Sequence, residues 1–142
     1  MEYSYKFRIY PNAEQRALIQ KTFGCSRFVY NHFLAQRISE YKATGKAPTR
    51  FQQDKMLTAL KREILWLKEV DSIPLQAELQ NLDSAYQGFF RRVKKGEKPG
   101  FPRFKSKRDR RKSYKTKQHI TNGKPTIYVD DKHIRLPKLG LV

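Results

Sequence analysis

A run of 28 residues from Arg91 to Gln118 carries 14 lysines and arginines against two acids, Glu97 and Asp109, and so holds +12 of the chain's +18. Charge at that density repels itself and cannot be buried, so the run stays out of any core and calls for an anionic partner. Aromatic residues are set into it (Phe101, Phe104, Tyr114), with Gly100 and Pro102 shaping the backbone. Basic groups hold phosphates, while flat rings stack on bases or pin a loop to a core. A solvated, disordered linker would share the charge but not this ordered apolar punctuation. Nucleic acid is the expected partner.

The other residues bound what can surround such an arm. A chain of 142 residues is enough for one domain or two small modules sharing a core, and 38% hydrophobic content supplies a modest one. Apolar runs reach four residues (Ile64 to Leu67), far short of the roughly 20 that cross a membrane. The start, Met1 to Lys6, lacks an apolar signal core, and no basic amphipathic helix with an exposed apolar face stands out. A cytoplasmic protein without membrane or small-molecule partners is expected. The single cysteine, Cys25, excludes an internal disulfide and a multi-cysteine zinc site.

Along the chain, Tyr3, Tyr5, Phe7 and Ile9 alternate with Ser4, Lys6 and Arg8, the period of a half-buried strand. Asn12 is a good N-cap, and from Ala13 to about Lys42 a helical pattern returns Ile19, Phe23, Tyr30, Phe33, Leu34, Ile38 and Tyr41 to one side. Gly24 interrupts it, which suggests a close contact or a kink. Thr49 and Gln52 fit a capping box for a second helix that buries Met56, Leu57, Leu60 and Ile64. Ser72 is the expected cap of a third, whose seam runs Leu75, Leu79, Leu82, Tyr86, Phe89, Val93. After the basic run, Thr126–Val129 and His133–Leu136 flank Asp130-Asp131-Lys132 as a hairpin, and Leu136–Val142 begins another extended segment. An isolated hairpin is marginal in water. The first strand should therefore join the last ones, giving an α+β fold with a three-helix bundle inserted in a small antiparallel β-barrel or sheet. The expected division is 1–11 with 119–142 as the β-module, 12–98 as the bundle and 99–118 as a basic linker.

No catalytic constellation emerges. Cys25 and His32 are two helical turns apart, about 10 Å by rise, too far to share a metal or a proton, and metal sites need three or four ligands. His119 and His133 flank the last loop and hairpin, where phosphate or surface contacts are expected. Glu63, Glu69, Asp71, Asp130 and Asp131 sit at helix ends and turns, where carboxylates serve structure. No phosphate-cradling glycine loop or zinc-protease motif is present. Neither a catalytic nor a metal residue is expected in this chain.

Three stretches carry a resemblance: Lys6 to Asn12 (KFRIYPN), Thr22 to Leu34 (TFGCSRFVYNHFL), and Gly100 to Ser106 (GFPRFKS) with Leu136 to Gly140 (LPKLG). Together they make the chain similar, over essentially all its length, to the N-terminal part of TnpB (OrfB), the RNA-guided DNA nuclease of insertion sequences. The resemblance implies a wedge β-barrel holding an inserted recognition bundle, with guide RNA and target double-stranded DNA as partners. It also implies that a short transposon-adjacent motif is read by the start of the second helix (Arg50, Phe51, Asp54) and of the third (Ser72, Ile73, Gln76). Gln can pair with adenine edges, and helix N-termini aim amides at phosphates. Phosphate contacts to guide RNA or heteroduplex are expected from Arg91, Arg92, Lys94, Lys95, Arg103, Lys105, Lys107, Arg108, Arg110, Arg111 and Lys112, with Phe101, Phe104 and Tyr114 among them. The family continues into a nuclease domain with three carboxylates and a zinc-binding cysteine cluster, which this sequence lacks. Mg²⁺ is expected only with that domain, and this chain should bind without cutting. Two alternatives stand beside it: a nuclease or transposase subunit that completes its site with another chain, and a guide-independent helix-turn-helix DNA-binding protein or repressor.

Overall fold

The fold was analysed in a computed structural model that describes residues 2–109 and 112–142. The chain divides into two compact units, Met1–Gln20 with Lys117–Val142, and Lys21–Thr116. Among the described residues it is α+β: three helices, α1 (Ala13–Thr44), α2 (Arg50–Glu63) and α3 (Ser72–Lys95), precede five short strands.

Each helix starts where local chemistry says it should. Asn12 Oδ1 accepts from the Gln15 amide at 2.8 Å while Gln15 Oε1 accepts from the Asn12 amide at 2.9 Å, a reciprocal cap for α1. Thr49 and Gln52 close the same box on α2. The third cap differs from expectation. Asp71, not Ser72, sits outside the helix and accepts from the Ile73 amide at 3.2 Å, and Ser72 is already the first helical residue. Gly24 does not break α1, which is continuous from Ala13 to Thr44, and a Cβ there would meet only the Arg27 guanidinium at 3.7 Å. Gly96, at φ 71°, ends α3 in the left-handed conformation that glycine adopts without strain. A single 3-10 turn, Leu65–Glu69, joins α2 to α3 and buries Leu67.

The helical unit buries Cys25, Val29, Phe33 and Leu34 of α1, Leu57 and Leu60 of α2, and Leu75, Leu79, Leu82 and Tyr86 of α3. The α3 seam stops short of its predicted length: Val93 is exposed, as is Tyr41 on α1, because both helices outrun the core there. A polar group lies at the centre of this core. Arg37, only 6% exposed, donates from Nε to Gln53 Oε1 at 2.9 Å and from Nη2 to Asp83 Oδ1 at 3.3 Å, and its guanidinium lies 4.8 Å from the Tyr86 ring centroid. Gln53, fully buried, donates in turn to the Phe33 carbonyl at 3.0 Å and to Gln36 Oε1 at 3.1 Å. One cation thus engages all three helices. Neither residue stood out in the sequence, because their partners lie up to 46 positions away.

The strands belong to the first unit and form two small sheets. Strand β1 (Ile120–Thr121) pairs antiparallel with β2 (Lys124–Pro125) around Asn122 and Gly123, both at positive φ, an Asn-Gly hairpin turn absent from the sequence reading. Strand β3 (Tyr128–Val129) pairs with β4 (Ile134–Leu136), and β4 with β5 (Gly140–Leu141), all antiparallel. The hairpin around Asp130 is therefore where it was expected. Asp130 Oδ1 accepts from the amides of Lys132 and His133 at 2.8 and 2.7 Å, and these bonds hold its carboxyl below the usual range. Gln15 ties α1 to the same unit by donating to the Leu139 and Leu141 carbonyls at 3.2 and 2.5 Å.

The barrel, and the strand expected at Tyr3–Ile9, are corrected. Residues 2–11 form no strand bridge among the described residues, and Tyr3, Tyr5 and Phe7 are exposed. Tyr5 and Phe7 do stack at 6.1 Å, as same-side neighbours of an extended chain should. Alternation makes a strand only when an edge receives it, and the edges offered here are two or three residues long.

Replacing Arg37 by Ala should destabilise the chain by about 3 kcal/mol, the low end for breaking a buried pair, because Asp83 keeps partial access to water. Urea unfolding followed by circular dichroism measures it, and a loss under about 0.5 kcal/mol, the size of a bland surface change, would contradict the role given to Arg37.

Candidate nucleic-acid interface

The basic run is not a free tail. Residues 99–109 and 112–116 run back along α3, tied to the helical unit at successive points. At the end nearest the C-terminus of α3, Arg92 donates to the Pro99 carbonyl at 2.6 Å and the Gly100 carbonyl at 3.2 Å. Phe101 meets the Tyr86 and Phe89 rings edge-on at 5.5 and 5.2 Å, and Pro102 is buried beside it.

The middle is held by a two-point clamp. Asn31 of α1 donates from Nδ2 to the Lys105 carbonyl at 2.9 Å and accepts from the Lys105 amide at 2.7 Å, so one side chain satisfies a whole backbone unit. The Lys105 ammonium lies 2.9 Å from the buried Glu78 carboxylate and 4.5 Å from the Tyr30 ring centroid. Burial, and then the Glu78 charge, push the Tyr30 hydroxyl up from its ordinary value. At the far end, Tyr114 packs edge-on against Phe23 at 5.8 Å, and the Thr116 hydroxyl donates to Asp71, the cap of α3. From Phe89 to Asp71 is 18 residues, about 27 Å of helix. The segment is a strap laid along that length.

The clamps sort the residues expected to bind phosphate. Arg92 and Lys105 are committed inward, as described. Arg91, Lys94, Lys95, Arg103, Lys107, Arg108 and Lys112 are exposed, and none of them is in an ion pair among the described residues. Arg110 and Arg111 lie outside the described residues. Phe101 and Tyr114 spend their rings on the helical unit, while Phe104 is more than half exposed.

The positions expected to read a DNA motif fall in two groups. Phe51 is 75% exposed beside Arg50, whose Nε is 3.9 Å from Asp54. Gln76 is exposed, and Ser72 and Ile73 are half-buried under the Asp71 cap. Gln53, in the first turn of α2, is joined through Arg37 to Asp83, 11 residues along α3 from Ser72.

Three of the five acids considered for catalysis have structural partners. Glu69 pairs with Lys21, Asp71 caps α3, and Asp130 closes a turn. Cys25 is buried, and that burial raises its thiol pKa, the reverse of what a nucleophile needs. Among the described residues no group of three or more His, Cys, Asp or Glu is placed to hold a metal, and no helix is long and apolar enough to cross a membrane. Two features escaped the sequence reading: the Asn31 clamp and the inward use of Lys105. A lone asparagine 74 positions from its partner leaves no local signal.

Comparison with known proteins supplies the lineage. Residues 1–46 match the helix-turn-helix domain family of IS605-type OrfB proteins. Over that range this chain has the extended segment and a single unbroken α1. A protein of Streptomyces pristinaespiralis provisionally named an RNA-guided DNA endonuclease is 37% identical over 112 residues, 78% of this chain and 27% of that protein. Its Escherichia coli K12 counterpart InsQ, provisionally named the same way, is 32% identical over 139 residues, 96% of this chain and 32% of InsQ. VsdF of Salmonella dublin, named a virulence protein, is 35% identical over 111 residues, 72% of this chain and 91% of VsdF. The chain belongs to the TnpB (OrfB) family. It spans about a third or less of the two endonuclease-named relatives. For a TnpB-family chain the strap explains how the basic run coexists with a packed core: Phe101, Tyr114, the Lys105 backbone and the Lys105 charge face in, while Arg103, Lys107, Arg108 and Lys112 face out.

Replacing Asn31 by Ala removes both bonds to Lys105 and should loosen the strap by about 1–3 kcal/mol. Limited trypsin digestion should then cut faster after Arg103, Lys105, Lys107 and Arg108, with helical circular dichroism unchanged. An unchanged cleavage rate would contradict the clamp.

Proposed function

We propose that this chain is the nucleic-acid-gripping portion of a TnpB-type RNA-guided DNA endonuclease. The strap holds the phosphates of guide RNA and of its heteroduplex with target DNA, and the starts of α2 and α3 read a short motif on the DNA duplex. The chain cuts nothing by itself. The observation that carries this reading is the docked strap: among the described residues Arg103, Lys107, Arg108 and Lys112 are exposed and outside any ion pair on a segment tied along about 27 Å of α3, with Arg91, Lys94 and Lys95 exposed where that helix ends. Cations fixed along a line suit a polyanion of regular spacing, whereas sequence in RNA-guided systems is delegated to base pairing. The names of the relatives agree with nucleic acid as the partner.

A second reading, guide-independent duplex binding, is favoured by the helix-turn-helix description of the matched family. It differs in needing no RNA.

Fluorescence anisotropy separates them. Binding to a structured RNA or an RNA–DNA heteroduplex should weaken roughly 10³- to 10⁵-fold between 50 and 200 mM salt if six to ten phosphates are engaged. Changing Arg103, Lys107, Arg108 and Lys112 together to Gln should lower the slope of log affinity against log salt by roughly 3 to 4. A flat salt response would overturn the proposal. Tight, sequence-selective duplex binding without any RNA would favour the second reading.

A further inference from the structure

Beyond the phosphate-facing side of the strap, the helical unit holds a groove of about 430 Å³ between the C-terminal ends of α1 and α3, within the roughly 300–1,000 Å³ typical of ligand sites. Tyr41 and Lys42 line it from α1, Tyr86, Phe89 and Phe90 from α3, and Phe101 from the strap. Five of its nine lining residues are aromatic, and Arg37, Ile38, Lys42 and Ala47 complete it. Tyr86 and Phe89 form a packed ring cluster with Phe101, at centroid separations of 5.5 and 5.2 Å. Two further rings are spent less completely: Tyr41 is 63% and Phe90 57% exposed. Phe90 packs edge-on against Phe89 at 5.3 Å, yet both it and Tyr41 keep more than half their surface in water at the groove.

What surrounds the groove narrows its occupant. Lys42 lines it, and in sequence Lys46 follows Tyr41 while Arg91, Lys94 and Lys95 follow Phe90, against Glu40, Asp83 and Glu97 as the acids nearest. An apolar side chain from an ordinary protein partner has no use for those cations. A nucleotide does. Its base offers two flat apolar faces, and the phosphates on either side of it are anionic. We propose that this groove is a binding site for one unpaired nucleobase of a single-stranded polynucleotide, stacked on Phe90 and Tyr41 with its flanking phosphates on the adjacent lysines and arginines. The site adjoins the start of the strap through Phe101 and rests on the reading of the chain as a nucleic-acid binder. It would hold a base out of pairing while the strap holds backbone.

The test compares two oligomers of equal length and charge: an abasic strand, and the same strand carrying one central adenine. Electrostatics is shared, so the affinity ratio isolates one base. The 142-residue chain should prefer the adenine strand by roughly 5- to 150-fold, the range of a single base–aromatic stack. Phe90→Ala and Tyr41→Ala should each reduce that ratio, and Phe90→Trp should keep it. Both rings are exposed, so the variants should keep the wild-type circular dichroism spectrum. Equal affinity for the two strands, or a ratio that neither alanine variant changes, would overturn the base site while leaving phosphate binding by the strap intact. Absence of salt-dependent binding to either strand would overturn both.

Discussion

Arg37 is a cation buried where three helices meet, and the helical unit is arranged to keep it satisfied. Gln53 comes from α2, Asp83 and the Tyr86 face from α3, and Arg37 itself from α1. A guanidinium removed from water is tolerated only when its donors are met, and a half-satisfied network costs more than an apolar core. The consequence is register. Apolar seams tolerate sliding by a fraction of a turn, but a planar cation with an amide on one edge and a carboxylate on the other does not. Fixing α3 against α1 in this way also fixes the surface on which the strap lies.

The strap turns that register into a charged surface. Its inward contacts include rings on rings at Phe101 and Tyr114, a side-chain amide on a peptide unit at Asn31, one ion pair at Glu78, and hydrogen bonds from Arg92 and to Asp71 at its two ends. The ion pair matters for where it sits. Glu78 is a buried carboxylate that would otherwise lie unpaired, and Lys105 meets it while adding its charge to the Tyr30 ring. Arg103, Lys107, Arg108 and Lys112 are left facing water. Holding them in place before any partner arrives reduces the ordering cost of binding, the general advantage of preorganisation.

Much of this was legible in the sequence where the signal is local. Asn12 with Gln15 and Thr49 with Gln52 are caps whose donors lie three residues away, so the starts of α1 and α2 could be read directly. The Leu75, Leu79, Leu82, Tyr86 spacing marked the buried face of α3 for the same reason. Asp71 and Ser72 are adjacent and both good caps, and only the backbone angles decide between them. The Asn122-Gly123 turn was written in the sequence and passed over. Other features had no local signal. Arg37, Gln53 and Asn31 read as surface polar residues until their distant partners are known. The alternation of Tyr3 to Ile9 gave the residues of a strand but not an edge to receive it, and the expected barrel reduces to two small sheets.

The central claim is that the basic segment is docked on α3 before it meets any nucleic acid. Amide hydrogen exchange of the free chain, resolved to single residues, tests it most directly. The account predicts slow exchange at the Lys105 amide, which is bonded to Asn31, beside fast exchange at the exposed amides of its neighbours Phe104 and Lys107. Exchange at Lys105 as fast as in an unstructured peptide, slowing only when RNA is added, would show an arm that orders on binding and would contradict it.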